Sequence, residues 1–588
     1  MKLKARDILK ESTRLIGNDL WRYVLVIALT ETMALLLVRQ VSSRIFQLAL
    51  VSAKVQGINN QNYLQILTNP IALILILFTL FLLGTFVVLQ ITTVLAFADR
   101  PYHDNKLSLK SIFKPILKMK PTNYLVFVLY IFIIMPLGNV GLTSVVTESL
   151  RIPSFIIEFI ESVPWMMITY YLGLIVLFYL NIRFFFAFII FYNEPGSFMQ
   201  ALKHSWTITR KHAYLIFKIT ILIGAGTILA TLLALLITLL PLIVSEHFFP
   251  NNLKLVNSLL STAFLFLVMF IVSLSSIFMI QGTVVAYHQL KGDQVSPSRA
   301  FYKPKKHSLI INSLVIIAFV FFAAVAYFDT PNHALAGSVS VVSHRGESRN
   351  AVENTLESLE LAAKHKPSYV EMDIQQLADG TIVVFHDYDL KRLAGINRKL
   401  NTYTIDELRG VSIHSHGNTS TIPTLDEYLA LADSLNQNIM IEIKTTTKDS
   451  PEFLGDIMKI VESHNMRDRV IYQSLDKYAI LNYKEKFPDA TVGYILGINI
   501  GGLEDMNVDF FSLEDYSVTT RVVNDAQRMR KGLFVWTINS EELMQFYFKT
   551  QITGIITDNL ELAEEVREDM KKTPISDLFW SLDFLESR

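Results

Sequence analysis

The chain has 588 residues, 51% of them hydrophobic, and its mean hydropathy of +0.37 excludes an ordinary pair of soluble domains. Basic and acidic residues balance at 53 each, which offers no support for nucleic-acid binding. The absence of cysteine fits a domain exposed outside the cytoplasm, where thiols oxidise.

In chain order, the apolar runs come first. They predict membrane helices near 21 to 38, 71 to 96, 124 to 145, 164 to 193, 214 to 245, 258 to 286 and 308 to 328. Each is long enough for a hydrocarbon core that needs about 20 residues. The first is the least convincing because it contains Glu31, and the shorter run 152 to 160 reads as interfacial. A long amphipathic leader precedes the first run, so no removable signal peptide is apparent.

Loop charge sets the predicted orientation. The leader carries Lys2, Lys4, Arg6, Lys10 and Arg14, and the second-to-third connection carries Arg100, Lys106, Lys110, Lys114, Lys118 and Lys120. Lys203, Arg210 and Lys211 mark the fourth-to-fifth connection, and Lys291, Arg299, Lys303, Lys305 and Lys306 the sixth-to-seventh. The alternate loops hold only Arg39, Arg44 and Lys54, then Arg151, then Lys254. Cations mark the cytoplasmic side, so a multi-pass protein of the cell membrane is expected, with its N-terminus inside and everything after the seventh helix outside. Within the spans Arg183 stands out with Glu31, although snorkelling to the cytoplasmic interface is the simpler reading of Arg183. Ala334-Leu-Ala336, in a linker over 331 to 338, has a form that signal peptidases accept, so release of the C-terminal domain is one reading and an ordinary linker the simpler one.

Beyond the linker the pattern changes. Apolar, β-branched runs recur near 339 to 343, 368 to 374, 438 to 443, 470 to 473, 491 to 496, 508 to 512, 533 to 537 and 554 to 557. Eight such runs predict an α/β TIM-type (β/α)8 barrel over 339 to 570, behind an all-α polytopic membrane bundle over 1 to 330 and before a tail over 571 to 588. The extra run Thr381 to Phe385 is expected to form a hairpin with the second strand through the turn Ala378-Asp-Gly380. That makes 387 to 421 a polar, mixed insertion beside the mouth, either shaping substrate choice or capping it passively.

Chemistry gathers in Val342-Ser-His344-Arg345-Gly346, Glu353-Asn354-Thr355, Glu371-Met-Asp373 and His386-Asp387. Glu371 and Asp373 are two apart in a predicted strand, so both project to one face, where they repel unless a cation neutralises them. Glu442 in Asn438-Ile-Met-Ile-Glu-Ile-Lys444 is a third such carboxylate, and Lys444 faces the same way. Oxygen ligands without cysteine suit calcium or magnesium. His344 and His386 close their strands, where a barrel keeps its acids and bases. Singly, a strand-end histidine or a Glu-x-Asp pair has a structural explanation; the four patterns together do not arise readily by chance.

From about Ser338 to Met570 the chain resembles the glycerophosphodiester phosphodiesterase family, through these residues and through Ile422-Pro-Thr-Leu-Asp-Glu-Tyr428, Gln473-Ser474, Trp536-Thr-Ile-Asn539 and Thr557-Asp558. The resemblance implies that Glu371, Asp373 and Glu442 hold the metal and that His344 and His386 are general acid and base, in an order left open. It further implies that Arg345 and Lys444 contact phosphate and that Trp536 packs on the glycerol end. The family usually has proline after the last Thr-Asp where this chain has Asn559-Leu560, which puts the shape of that loop in question. The implied reaction lets a neighbouring hydroxyl attack phosphorus to give a cyclic phosphate, which water opens to glycerol phosphate.

Three functional readings are open. The first is metal-dependent hydrolysis of glycerophosphodiesters at the extracytoplasmic face, in teichoic acid or lipid head-group turnover. The second is phospholipase-like cleavage of intact or lyso membrane lipids delivered by the bundle. The third is a non-catalytic transporter or receptor, disfavoured by two histidines that binding alone does not need.

Overall fold

The computed structural model of the protein describes residues 4–33, 39–55, 57–59, 63–102, 126, 130, 164–194, 196–248, 253–293, 313, 316–324, 327 and 339–572. The expected span at 124–145, apart from 126 and 130, lies outside these residues, as do 152–160, most of 308–328, the linker 331–338 and nearly all of the tail. The described residues fall into two compact units, one up to Ala49 and from Pro70 to Thr330, the other Leu50–Asn69 together with the described residues between Pro331 and Ser576.

The first unit is helical. It contains α1 (Ala5–Met33), bent at Asp19, most of α2 (Arg39–Ser52), α4 (Pro70–Asp99), α5 (Pro164–Arg183), α6 (Ala187–Asn193), α7 (Phe198–Thr209), α8 (Ala213–Phe248) and α9 (Leu253–Lys291); α3 (Tyr63–Thr68) belongs to the second unit. Four helical stretches among the described residues are long and apolar enough to cross a membrane: 70–102, 165–193, 213–245 and 255–291. Residues that water would drive inward, such as Ile228, Leu229, Leu232, Leu236 and Ile237 of α8, are exposed on its outside, as hydrocarbon solvent allows. The expected first span, 21–38, falls partly on α1, which is not among the four, and the side chain of Glu31 lies outside the described set. Arg183 does not reach for solvent. It is 5% exposed, lies 4.3 Å over the Trp206 ring and donates to the Trp206 carbonyl at 2.5 Å, so it ties the end of α5 to α7.

The second unit is built on eight parallel strands: β2 (Ser340–Ser343), β3 (Tyr369–Gln376), β9 (Ile439–Ile443), β10 (Val470–Ser474), β11 (Val492–Leu496), β13 (Phe510–Glu514), β14 (Gly532–Trp536) and β15 (Gly554–Thr557). They pair in that order, and β15–β2 with β2–β3 closes the barrel. Each lies on one of the eight predicted runs. The strand period of two sorts the side chains. On β3, Val370, Met372 and Ile374 join the apolar layer under the helices, which leaves Glu371, Asp373 and Gln375 to the interior. On β9, Ile439, Ile441 and Ile443 do the same, which leaves Met440 and Glu442 inside with Lys444 following. Val342, Met440, Ile471, Phe510, Phe534 and Ile556 form the apolar filling within the barrel.

The expected hairpin is present: β4 (Ile382–Val384) pairs antiparallel with β3, through a turn in which Gly380 has φ +88°, a conformation glycine adopts without strain. The insertion contains β5 (Asp389–Leu390), β6 (Ile396–Lys399), β7 (Ser412–Ser415) and β8 (Asn418–Thr421). Leu390, Leu393, Leu400, Tyr403, Leu408 and Ile413 give it a core of its own, shared with Val383 and Phe385. One more strand, β1 (Gly57–Asn59), comes from the N-terminal half and pairs antiparallel with β12 (Asn499–Gly501), directly after β11.

Candidate active site

The three carboxylates converge. Adjacent β3 and β9 place Asp373 opposite Glu442 in register, with Glu371 one pleat earlier, and the ligand oxygens of Glu371, Asp373 and Glu442 lie within 4.8 Å of one another. Glu371 and Asp373 are 2% and 1% exposed. Asn354, held at φ +58°, donates to Asp373 Oδ2 at 2.8 Å and accepts from the Asp373 amide at 3.1 Å, so that carboxylate is gripped from two sides. Lys444 Nζ lies 3.2 Å from Asp373 Oδ1 and 2.9 Å from Glu442 Oε1. Neither oxygen has a properly directed hydrogen-bond donor at these distances, so each keeps a buried lone pair available to a cation.

Electrostatics separates the carboxyls. Burial, then the charges of Asp373 and Glu442, push the Glu371 pKa up to about 8. Burial also opposes charge on Asp373, but Lys444, His386 and Arg345 outweigh it and hold that group below the ordinary carboxylate range. Three carboxylates this close and this buried ionise together only beside a cation, and their hard oxygen donors fit a divalent ion such as calcium or magnesium.

The two histidines have parallel settings. His344 Nδ1 is 2.7 Å from Asp558 Oδ1, and Asn539 donates to the other Asp558 oxygen at 2.7 Å. Burial disfavours charge on His344, yet Asp558 more than compensates, so its pKa lies above the ordinary histidine value; that of Asp558 falls to about 2. His386 Nδ1 is 2.7 Å from Asp387 Oδ1. Each imidazole is thus oriented by a carboxylate at Nδ1, which leaves Nε2 for a substrate. Arg345 donates its amide to Glu371 at 3.0 Å and its guanidinium to Glu353 at 2.9 Å, and Arg392 from the insertion clamps the same Glu353 with two bonds of 2.7 Å. Glycine follows Arg345 because Gly346 has φ +78° and any Cβ there would sit 2.8 Å from the Ser358 backbone carbon.

His344 and Arg345 open on a cavity of about 480 Å³ whose wall also includes Arg349, Glu353, His416 and Asp558. Glu371, Asp373, Glu442, Lys444, His386 and Trp536 are not in its lining. Lys444 is committed to the carboxylates, and Trp536 packs against the barrel filling. Asp558 and Asn539 lie in segments that carry the family resemblance, which is the signal that could have singled them out. Asn559, where the family has proline nearby, accepts from the Leu562 amide at 3.2 Å and precedes the helix Leu560–Lys572.

Two family models cover the chain. Residues 344–562 match the glycerophosphoryl diester phosphodiesterase family, and residues 9–328 match the membrane domain of glycerophosphoryl diester phosphodiesterase. The chain belongs to this family. Similar proteins include a glycerophosphodiester phosphodiesterase of Caldanaerobacter subterraneus, 27% identical over 38% of this chain and 94% of its own. Another, from Bacillus altitudinis, is 27% identical over 39% of this chain and 99% of its own. Among solved structures, a phosphodiesterase of Oleispira antarctica in complex with its product sn-glycerol-3-phosphate is 22% identical, with a TM-score of 0.36 over 40% of this chain and 99% of that one. The protein is therefore a glycerophosphodiester phosphodiesterase with a membrane domain, and its reaction is hydrolysis of glycerophosphodiesters.

Proposed function

We propose that this phosphodiesterase works at the extracytoplasmic face of the cell membrane on head groups or glycerophosphate polymers, with a divalent calcium or magnesium ion held by Glu371, Asp373 and Glu442. The single observation that carries the metal reading is the convergence of those carboxylates beside two His–Asp pairs. In this reading a membrane domain over 1–330 leads through the linker 331–338 to the barrel over 339–570.

The bound ion would neutralise charge on the phosphoryl oxygens. His386, oriented by Asp387, takes the proton of the substrate's neighbouring hydroxyl, whose oxygen attacks phosphorus and closes a cyclic phosphate. His344 gives its Nε2 proton to the departing alcohol, because Asp558 favours the charged imidazolium. Water then opens the ring with the histidines in reversed roles. Arg345 reaches the cavity and would steady the phosphate, and Lys444 acts on it through the carboxylates it bridges. Purified full-length protein should cleave glycerophosphocholine or a poly-glycerophosphate, and a chelator should stop it. Cleavage of intact phosphatidylglycerol alone, or turnover indifferent to chelator, would overturn the proposal.

Two independent observations support the sidedness. The leader and the even-numbered connections together carry far more cations than the odd-numbered ones, and β1, from the first connection, is a strand partner of β12 in the barrel unit. A strand cannot pair across a bilayer, so that connection and the barrel share a side. The chain lacks cysteine, and Asp489 is 88% exposed, so Asp489→Cys gives a clean probe. A membrane-impermeant maleimide should label it on intact cells; labelling only after permeabilisation would place the barrel inside.

A further inference from the structure

Catalysis by the two histidines and the carboxylates makes no use of the hairpin at the end of the insertion. Strands β7 and β8 pair so that Ser415 faces Asn418, which makes His416 and Gly417 the whole loop. Both have positive φ, +50° and +81°, the signature of a tight type I′ turn. Histidine is not the usual residue for the first of these positions, where asparagine, aspartate or glycine is favoured. The hairpin is fixed rather than loose. Asn418 Nδ2 donates to the Asn350 carbonyl at 2.9 Å, Ser420 Oγ donates to Glu357 at 2.6 Å, and Ile413 is buried in the insertion's core. His416 is thereby carried to the wall of the active-site cavity, which it shares with Arg349 of the loop after β2.

The other charged groups on that wall are paired. His344 is bonded to Asp558, Arg345 to Glu353, and Glu353 also to Arg392. The side chains of Arg349 and His416 have no hydrogen bond or ion pair among the described residues. Two uncommitted and exposed donors, one a permanent cation, therefore share a cavity wall with His344 and Arg345.

We propose that Arg349 and His416 form a second anion subsite, selecting glycerophosphodiesters whose alcohol portion carries a further phosphate. This rests on the phosphodiesterase reading of the site and names its substrate class: an ester within or at the end of a chain of glycerophosphates, in preference to a neutral or zwitterionic ester. The guanidinium and a ring N–H donate to the second phosphate while the first lies at the catalytic groups.

The test compares glycerophosphoglycerol with and without a phosphate on its terminal glycerol, using the purified full-length protein with calcium or magnesium. Wild type should prefer the phosphorylated ester by about tenfold in kcat/KM, the size of one charge-assisted hydrogen bond. Arg349→Gln and His416→Gln should each reduce that ratio several-fold, through KM rather than kcat, and added salt should erode it in wild type. His414→Gln is the control. It lies on the same hairpin, exposed, with its ring on Thr419 Oγ1 at 2.9 Å, and should keep the wild-type ratio. Turnover of both esters without a preference in wild type, or a preference that survives both substitutions, overturns the subsite. Turnover of neither ester by wild type overturns the phosphodiesterase reading beneath it, so the two failures are distinguishable.

Discussion

His344→Ala is expected to slow cleavage of esters with aliphatic alcohols by about 10² to 10⁴, the usual contribution of a positioned acid or base. An ester of p-nitrophenol, whose anion leaves without a proton, should recover most of that loss. His386→Ala should cost a similar factor on both esters, because the attacking hydroxyl still needs its proton removed. The pH profile supplies a second readout. Asp558 raises the His344 pKa, so the protonated acid persists to higher pH and is lost as pH rises through the raised value. Asp558→Asn removes that support, and the alkaline limb of kcat/KM should move to lower pH. Equal losses on both esters for His344→Ala, or leaving-group sensitivity in His386→Ala instead, would exchange or abolish the roles assigned here.

How much the sequence discloses depends on how far apart the cooperating residues lie. Glu371, Asp373, Glu442 and Lys444 are legible because the strand period is two: once apolar Val370, Met372 and Ile374 are read as one face, the polar residues must share the other. The eight strands are legible for the same reason. The His344–Asp558 bond is not, because it joins residues 214 apart and depends on β15 closing the barrel against β2. Arg392 on Glu353 and His416 on the cavity wall belong to an insertion whose apolar residues are scattered as Leu393, Leu400, Leu408 and Ile413, without a helical or strand period. Its core is therefore invisible in the sequence, and polar composition leaves substrate selection and passive capping equally open. In the membrane half, apolar length is legible but partnership is not. Arg183 reads as a snorkelling cation until Trp206 is brought beneath it by α7.

Asp373→Asn is expected to abolish both turnover and stabilisation by calcium or magnesium. The amide keeps the shape and the contact with Asn354 but removes the charge that answers Lys444 and Arg345. An ion that binds only the folded protein raises its stability by about 2.7 kcal/mol at a hundredfold excess over Kd, which thermal unfolding reads without reference to activity. The effect should depend on pH in a defined direction. Burial and the neighbouring carboxylates push the Glu371 pKa up to about 8 in the folded protein, against an ordinary 4.5. Its contribution is thus fully present below about 4.5 and is lost as pH rises towards 8, where the unfolded chain ionises freely and the folded one does not. A divalent ion displaces that proton, so stabilisation by the ion should grow across the same window. Asn354→Ala leaves every carboxylate in place and loosens only Asp373; it should weaken metal affinity about 10- to 100-fold, with turnover recovered at high metal. Full thermal stabilisation by either ion in Asp373→Asn would move the metal away from the three carboxylates. A loss of turnover in Asn354→Ala that no metal concentration restores would mean that Asn354 serves the substrate instead.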